Sequence, residues 1–223
     1  MPRKIRFIIP NVPHHAIQRG NNRQDVFRDY EDRNYYLSVL RESSKEKNVL
    51  IGAYCLMTNH IHLLLYPRDE KGLIGVMKHV SQLYTQYFNR KYKRTGKLWE
   101  NRYKLYLGDP DRAWVIARYI ERNPMRARMV LKAEDFAYSS AKAHLLGASD
   151  ELLTYDILEN DRNAYREFFN QSDADAPEHV REIENVAQQG KALGDEDFHM
   201  ACKEILGVDL EVRDRGRPRL VKK

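Results

Sequence analysis

Two histidines stand one residue apart in the run Asn59-His60-Ile61-His62-Leu63-Leu64-Leu65-Tyr66. A short apolar run of this kind reads as a buried strand, whose successive side chains face opposite ways. His60 and His62 then emerge on one face, and Ile61, Leu63 and Leu65 on the other, where they can pack against a helix. Two imidazoles so placed can hold one divalent metal between them, and a strand fixes them more rigidly than a loop. The same spacing also serves two histidines that are only hydrogen-bonded at a sheet surface. Two ligands are an incomplete metal site, so the rest of the chain must supply a third.

The elements that must position this pair can be read on either side. Residues 5–20 form an opening strand whose paired part begins near His14, because Pro10 and Pro13 interrupt the run before it. A turn at 20–23 leads to a helix over 30–47, and a strand from Val49 to Met57 is joined to the histidine strand by a tight connection. Residues 72–92 carry apolar side chains at helical spacing and end in the basic cluster Arg90-Lys91-Tyr92-Lys93-Arg94. Residues 98–106 read as a final strand. Strand–helix–strand–strand–helix–strand is the order of a ferredoxin-like, RRM-like α+β sheet. Asp109 and Pro110 start a further helix, which Pro124 ends or kinks; Tyr119 and Asn123 sit one turn apart on it.

Composition bounds the rest. The chain has 223 residues, long enough for one good-sized domain and a smaller one. It has no apolar run of membrane-spanning length and no signal-peptide cleavage pattern, and Cys55 and Cys202 form no CxxC pair. These features fit a cytoplasmic protein. Charge divides the chain: residues 1–135 are basic, 136–210 acidic and 211–223 basic again. We read these as a polyphosphate-binding body, an acidic segment with short helices near 151–169, 177–190 and 195–206, and a tail. The tail places Arg215, Arg217 and Arg219 around Gly216 and Pro218 and resembles a minor-groove hook, although an ordinary solvated tail has the same composition.

Four stretches taken together resemble a known family. They are His15-Ala16-Ile17-Gln18-Arg19-Gly20-Asn21-Asn22-Arg23, Met57-Thr58-Asn59-His60-Ile61-His62-Leu63-Leu64, Gly96-Lys97-Leu98-Trp99-Glu100-Asn101-Arg102-Tyr103 and Tyr119-Ile120-Glu121-Arg122-Asn123-Pro124-Met125-Arg126-Ala127. In this order they resemble the single-tyrosine HUH transposases, and most closely the REP-associated tyrosine transposases, over about residues 12–131. The resemblance implies an HUH endonuclease fold over 1–135 and an enzyme that cleaves and rejoins single-stranded DNA at repetitive extragenic palindrome hairpins. It implies Tyr119 as nucleophile, forming a 5′-phosphotyrosine. It implies magnesium or manganese on His60 and His62, with Asn123 as a third ligand where many relatives carry glutamine. Under it, Arg19, Arg23, Arg90, Lys91, Lys93, Arg94 and Arg102 are expected to contact phosphates, and Tyr92, Tyr103 and Tyr106 to be able to stack on bases. The protein would act as a monomer at the nucleoid.

Two other readings use the same residues. One is a hairpin-binding or regulatory protein that keeps the fold without turnover. The other is a structural metal at His60 and His62, for which the sequence offers no convincing further ligands.

Overall fold

The structure, a computed structural model, describes residues 6–171 and 177–212. Its strands are β1 (His14–Arg19), β2 (Val49–Leu56), β3 (His60–Pro67), β4 (Lys104–Gly108) and β5 (Ala192–Leu193). They form one sheet in the order β2-β3-β1-β4-β5. β1 runs antiparallel to both β3 and β4, β2 antiparallel to β3, and β5 parallel to β4. The first four strands have the expected α+β, ferredoxin-like arrangement, with α1 (Tyr30–Glu46) and α2 (Gly72–Lys91) as the crossovers.

Alternation along β3 divides the molecule into two cores. Ile61, Leu63 and Leu65 are fully buried with Leu40, Val76, Val80, Tyr84 and Phe88 of α1 and α2. Burying each aliphatic side chain contributes about 1.5–3 kcal/mol, which pins the register of β3. Asp29 starts α1 by accepting the amide of Asp32. The opposite face of the sheet packs on α3 (Ala113–Glu121) through Ile116, Ala117 and Ile120. Gly108, at the end of β4, permits the close approach: a Cβ there would lie 2.3 Å from Ile116 Cδ1.

The acidic segment covers this second face and both sheet edges. Its helices are α5 (Ala141–Leu146), α6 (Arg162–Asn170), α7 (Pro177–Gln189) and α8 (Glu196–Leu206), preceded by the single turn α4 (Asn123–Arg126). Leu145, Tyr165, Phe169 and Val186 join the core beneath α3. Along the β2 edge, the Leu56 amide donates to the Tyr138 carbonyl at 2.9 Å and the Thr154 amide to the Ile51 carbonyl at 3.0 Å. At the other edge the two-residue β5 pairs with the end of β4.

Three expectations need correction. The strand expected at 98–106 is regular only from Lys104; Trp99 forms a lone bridge with Gly20, and 100–102 are exposed between them. Leu98, Trp99 and Tyr103 reach the core without a regular strand between them, because three exposed residues separate Trp99 from Tyr103. The helix expected near 151–169 begins only at Arg162, capped by Asp161, because 151–161 run as turns along the β2 edge. The helix with Tyr119 ends at Glu121, so Asn123 opens a separate turn.

Candidate functional site

β1 and β3 bring their histidines together at one end of the sheet. Arg19, the last residue of β1, is paired with His60, the first of β3. His62 is buried and His60 half-buried, and their ring centroids lie 5.0 Å apart. His60 Nδ1 lies 2.6 Å from Asn59 Oδ1, and Asn59 Nδ2 donates to the Arg23 carbonyl, which fixes the amide's orientation. Asn59 Oδ1 can only accept, so His60 carries its proton on Nδ1 and leaves the Nε2 lone pair open. His62 Nδ1 lies 2.8 Å from Nε2 of the buried His15, whose own Nδ1 lies 2.7 Å from the Tyr106 hydroxyl. Each histidine of the pair is thus held through Nδ1, and among the described residues Nε2 has no hydrogen-bond partner.

The imidazoles are neutral at neutral pH. Burial pushes His60 down to about 4, with Arg19 adding to the effect. Burial also holds His62 well below its ordinary value, and His15, His60, Arg126 and Arg19 add repulsion. Neutral rings with one nitrogen anchored are what a divalent ion requires of histidine.

α3 carries Tyr119 over this pair. Its ring centroid is 5.9 Å from those of both His62 and His15, edge-on to each. Burial raises the phenol pKa; Arg126 and Arg19 oppose that shift and Glu184 adds to it. The Arg126 guanidinium lies over the Tyr119 ring at 4.3 Å and donates to its carbonyl. Asn123 follows one turn later. Pro124 has no N–H to offer the Ile120 carbonyl, and Asn123 Nδ2 supplies the donor at 3.1 Å while also reaching the Tyr119 carbonyl at 2.9 Å. With Nδ2 committed to α3, Oδ1 is the atom left for a ligand. Among the described residues no group of three or more His, Cys, Asp or Glu side chains is placed to hold a metal ion. Neutral imidazoles can coordinate a divalent ion through Nε2, and an amide oxygen such as that of Asn123 is a donor type that suits magnesium or manganese.

α3 is held against the sheet by the acidic segment. Glu121, fully buried, accepts from Ser140 Oγ at 2.5 Å, His144 Nδ1 at 2.6 Å and the Tyr165 hydroxyl at 2.8 Å. Arg118 and Arg122 both donate to the carbonyls of Phe169 and Gln171. Trp114 Nε1 donates to the Ile157 carbonyl at 2.6 Å.

The basic residues expected at phosphates are dispersed. Arg19 and Arg23 border the histidine pair, and Arg19, Arg23, Arg90, Lys93 and Arg102 are exposed. Lys91 is instead drawn into ion pairs with Asp29, Glu31 and Asp32 at 2.7–3.0 Å, where carboxylates take the place of phosphate. Arg94 donates to the Lys97 carbonyl at 3.0 Å. Arg215, Arg217 and Arg219 lie outside the described residues. The tyrosines read as base-stacking platforms are occupied. Tyr92 donates to Asp29 and Asp32, Tyr103 is buried under the Arg6 guanidinium, and Tyr106 is buried against His15. Sequence reasoning missed His15, Tyr106, Arg126 and Glu121. The signal for His15 was its place on a strand facing the same way as the pair.

Comparisons with known proteins identify the family and the fold. The family described as IS200-like transposase matches residues 9–123, from the approach to β1 through Asn123. No curated protein matches the chain. Among solved structures, a REP-associated tyrosine transposase bound to a REP hairpin superposes with a TM-score of 0.54 at 14% identity, over 73% of this chain and 96% of that one. A presumed transposase from Deinococcus radiodurans gives a TM-score of 0.38 at 18% identity, over 57% and 92%. A bacterial tRNA(His) guanylyltransferase-like protein in complex with ATP gives 0.35 at 9%, over 75% and 94%. The first shares the fold, and the other two are too distant in shape to inform the site. With the family match running through both histidines, Tyr119 and Asn123, the chain belongs to the IS200-like transposase family.

Proposed function

We propose that this transposase cleaves and rejoins single-stranded DNA at the foot of repetitive-palindrome hairpins, with Tyr119 as nucleophile. The observation that carries the reading is the Tyr119 ring edge-on to His62, beside two histidines that the protein engages through Nδ1. The DNA class is taken from the similar transposase whose structure holds a REP hairpin. Bound by His60 and His62 through Nε2 and by Asn123 through Oδ1, magnesium or manganese would supply positive charge to the scissile phosphate.

The chain's own residues account for the rest. The Tyr119 phenol gives up its proton and its oxygen attacks phosphorus. The Tyr–O–P bond forms as the P–O3′ bond breaks, leaving a 5′-phosphotyrosine and a 3′-oxygen that takes up a proton. Attack by a second 3′-hydroxyl reverses these changes, and no nucleotide cofactor is needed. Arg126 lowers the cost of ionising the phenol. Arg19 and Arg23, at the rim, suit the flanking phosphates, and Arg90, Lys93, Arg94 and Arg102 suit the hairpin stem. The hold of the acidic segment on α3 favours a monomer that uses its own tyrosine.

The test is incubation with labelled single-stranded hairpins and magnesium or manganese. A denaturant-resistant protein–DNA band mapping to the Tyr119 peptide is expected, and Tyr119→Phe should bind the hairpin without forming it. Normal cleavage by Tyr119→Phe would show another nucleophile. Tight binding by the unsubstituted protein without a band, across metals, would make it a silent hairpin-binding protein.

A further inference from the structure

His15 touches both His62 and Tyr119, and its ring nitrogens are both engaged by other side chains. Its Nε2 lies 2.8 Å from His62 Nδ1 and its Nδ1 2.7 Å from the Tyr106 hydroxyl. Its ring is also edge-on to Tyr119. All of this follows from register. His15 is directly opposite Tyr106 on β4 and Leu64 on β3, which places His62 diagonally beside it on the same face.

The chain Tyr106–His15–His62 admits two proton arrangements. In one, Tyr106 donates to His15 Nδ1, His15 Nε2–H donates to His62 Nδ1, and His62 must carry its remaining proton on Nε2. That arrangement closes the nitrogen facing the site. In the other, His62 Nδ1–H donates to His15 Nε2 and His15 Nδ1–H donates to the Tyr106 oxygen, which leaves His62 Nε2 open. His60 needs no such choice, because Asn59 Oδ1 can only accept.

We propose that His15 is a positioning residue that holds His62 in the Nδ1–H form through Tyr106, and so decides whether the histidine pair can take a divalent ion. This rests on the reading of His60 and His62 as metal ligands. His15 and Asn59 are then matched supports, one behind each ligand. They differ in kind. The Asn59 support is fixed by chemistry, whereas the His15 support depends on the direction of a two-bond chain and is the one open to disruption.

The experiment uses the full chain with Mn2+ as probe, measuring binding by titration calorimetry and the His62 tautomer by 15N NMR in metal-free protein. His15→Leu should weaken Mn2+ binding about 10–100-fold and shift His62 away from the Nδ1–H form. His15→Gln, whose carbonyl can accept from His62 while its amide donates to Tyr106, should restore most of the affinity. Tyr106→Phe removes the acceptor with little loss of core volume, and affinity should fall. A rise in affinity in Tyr106→Phe would overturn the direction proposed, since the hydroxyl would then have been holding His62 in the closed form. Unchanged affinity and tautomer in His15→Leu would overturn the role of His15. If His15→Leu does not fold, His15→Gln and Tyr106→Phe decide the question. Absence of Mn2+ binding by the unsubstituted protein would instead remove the metal reading. The His62 tautomer with and without His15 would then still support or overturn the positioning role.

Discussion

The Tyr119 ring stands edge-on to the His62 imidazole, with centroids 5.9 Å apart and planes at 76°. One residue comes from a helix and the other from the middle of the sheet, and they share a wall of the site only because α3 crosses the histidine face closely. Reactive groups on separate rigid elements depend on whatever holds those elements together.

Arg126 is the group closest to the Tyr119 ring that favours its ionised form. Replacing it with alanine removes a cation–π contact of about 1–2 kcal/mol and leaves the upward push of burial less opposed. The phenol pKa then rises further, so strand cleavage should slow about tenfold at neutral pH. The alkaline rise of its pH–rate profile should move to higher pH. Arg126→Lys should recover part of the shift. A profile displaced to lower pH would contradict this assignment.

Glu121 should matter for stability more than for binding DNA. It is a fully buried carboxylate with three donors around it, and substituting alanine strands Ser140, His144 and Tyr165. Breaking a buried charged network of this kind costs about 3–5 kcal/mol. Urea unfolding should show the loss, and a change below about 0.5 kcal/mol would mean the network does not tie α3 down.

The two faces of β3 should separate fold from chemistry. Leu63→Ala creates a cavity in the core under α1 and α2 and should cost about 2–5 kcal/mol. His60→Ala, half-buried at the strand's first residue, should leave the unfolding midpoint almost unchanged while abolishing saturable Mn2+ binding. Thermal melts with and without Mn2+ would distinguish the two.

Asp29 should shape the acid limb of stability. Its bond to Lys91, aided by the Asp32 amide and Tyr92, lowers its pKa to about 2. A carboxylate depressed in the folded state stabilises the fold above its unfolded value of about 4, and that contribution is lost as pH falls through about 2. Asp29→Asn should therefore be less stable at neutral pH, with a flatter decline between pH 4 and 2 in acid unfolding.

What could be read in advance followed periodicity. The alternation of β3 and the apolar stripe of α2 are local patterns, and both elements stand where the spacing put them. Residues 98–103 misled because a run of aromatic and basic residues reads locally as a strand, while Leu98, Trp99 and Tyr103 reach the core from an irregular segment. α5 had no amphipathic signal, being short and built on Ala141 and Ala143, and β5 has only two residues, set by pairing with a distant strand. His15 escaped for a related reason. Its role depends on the registers of β1 against β3 and β4, which no local pattern contains.

The strict alternation of β3 leaves this strand with two kinds of intolerance. A mutational scan across positions 60–65 should show lost activity with the protein still abundant at 60 and 62, then lost abundance at 61, 63 and 65. Single-residue insertions and deletions should behave differently from both. Shifting the strand by one residue turns the imidazoles into the aliphatic core and the leucines onto the face under α3, so any such change forfeits stability and chemistry together. Descendants of this sequence can exchange one aliphatic side chain for another on the core face, but they cannot change the strand's length.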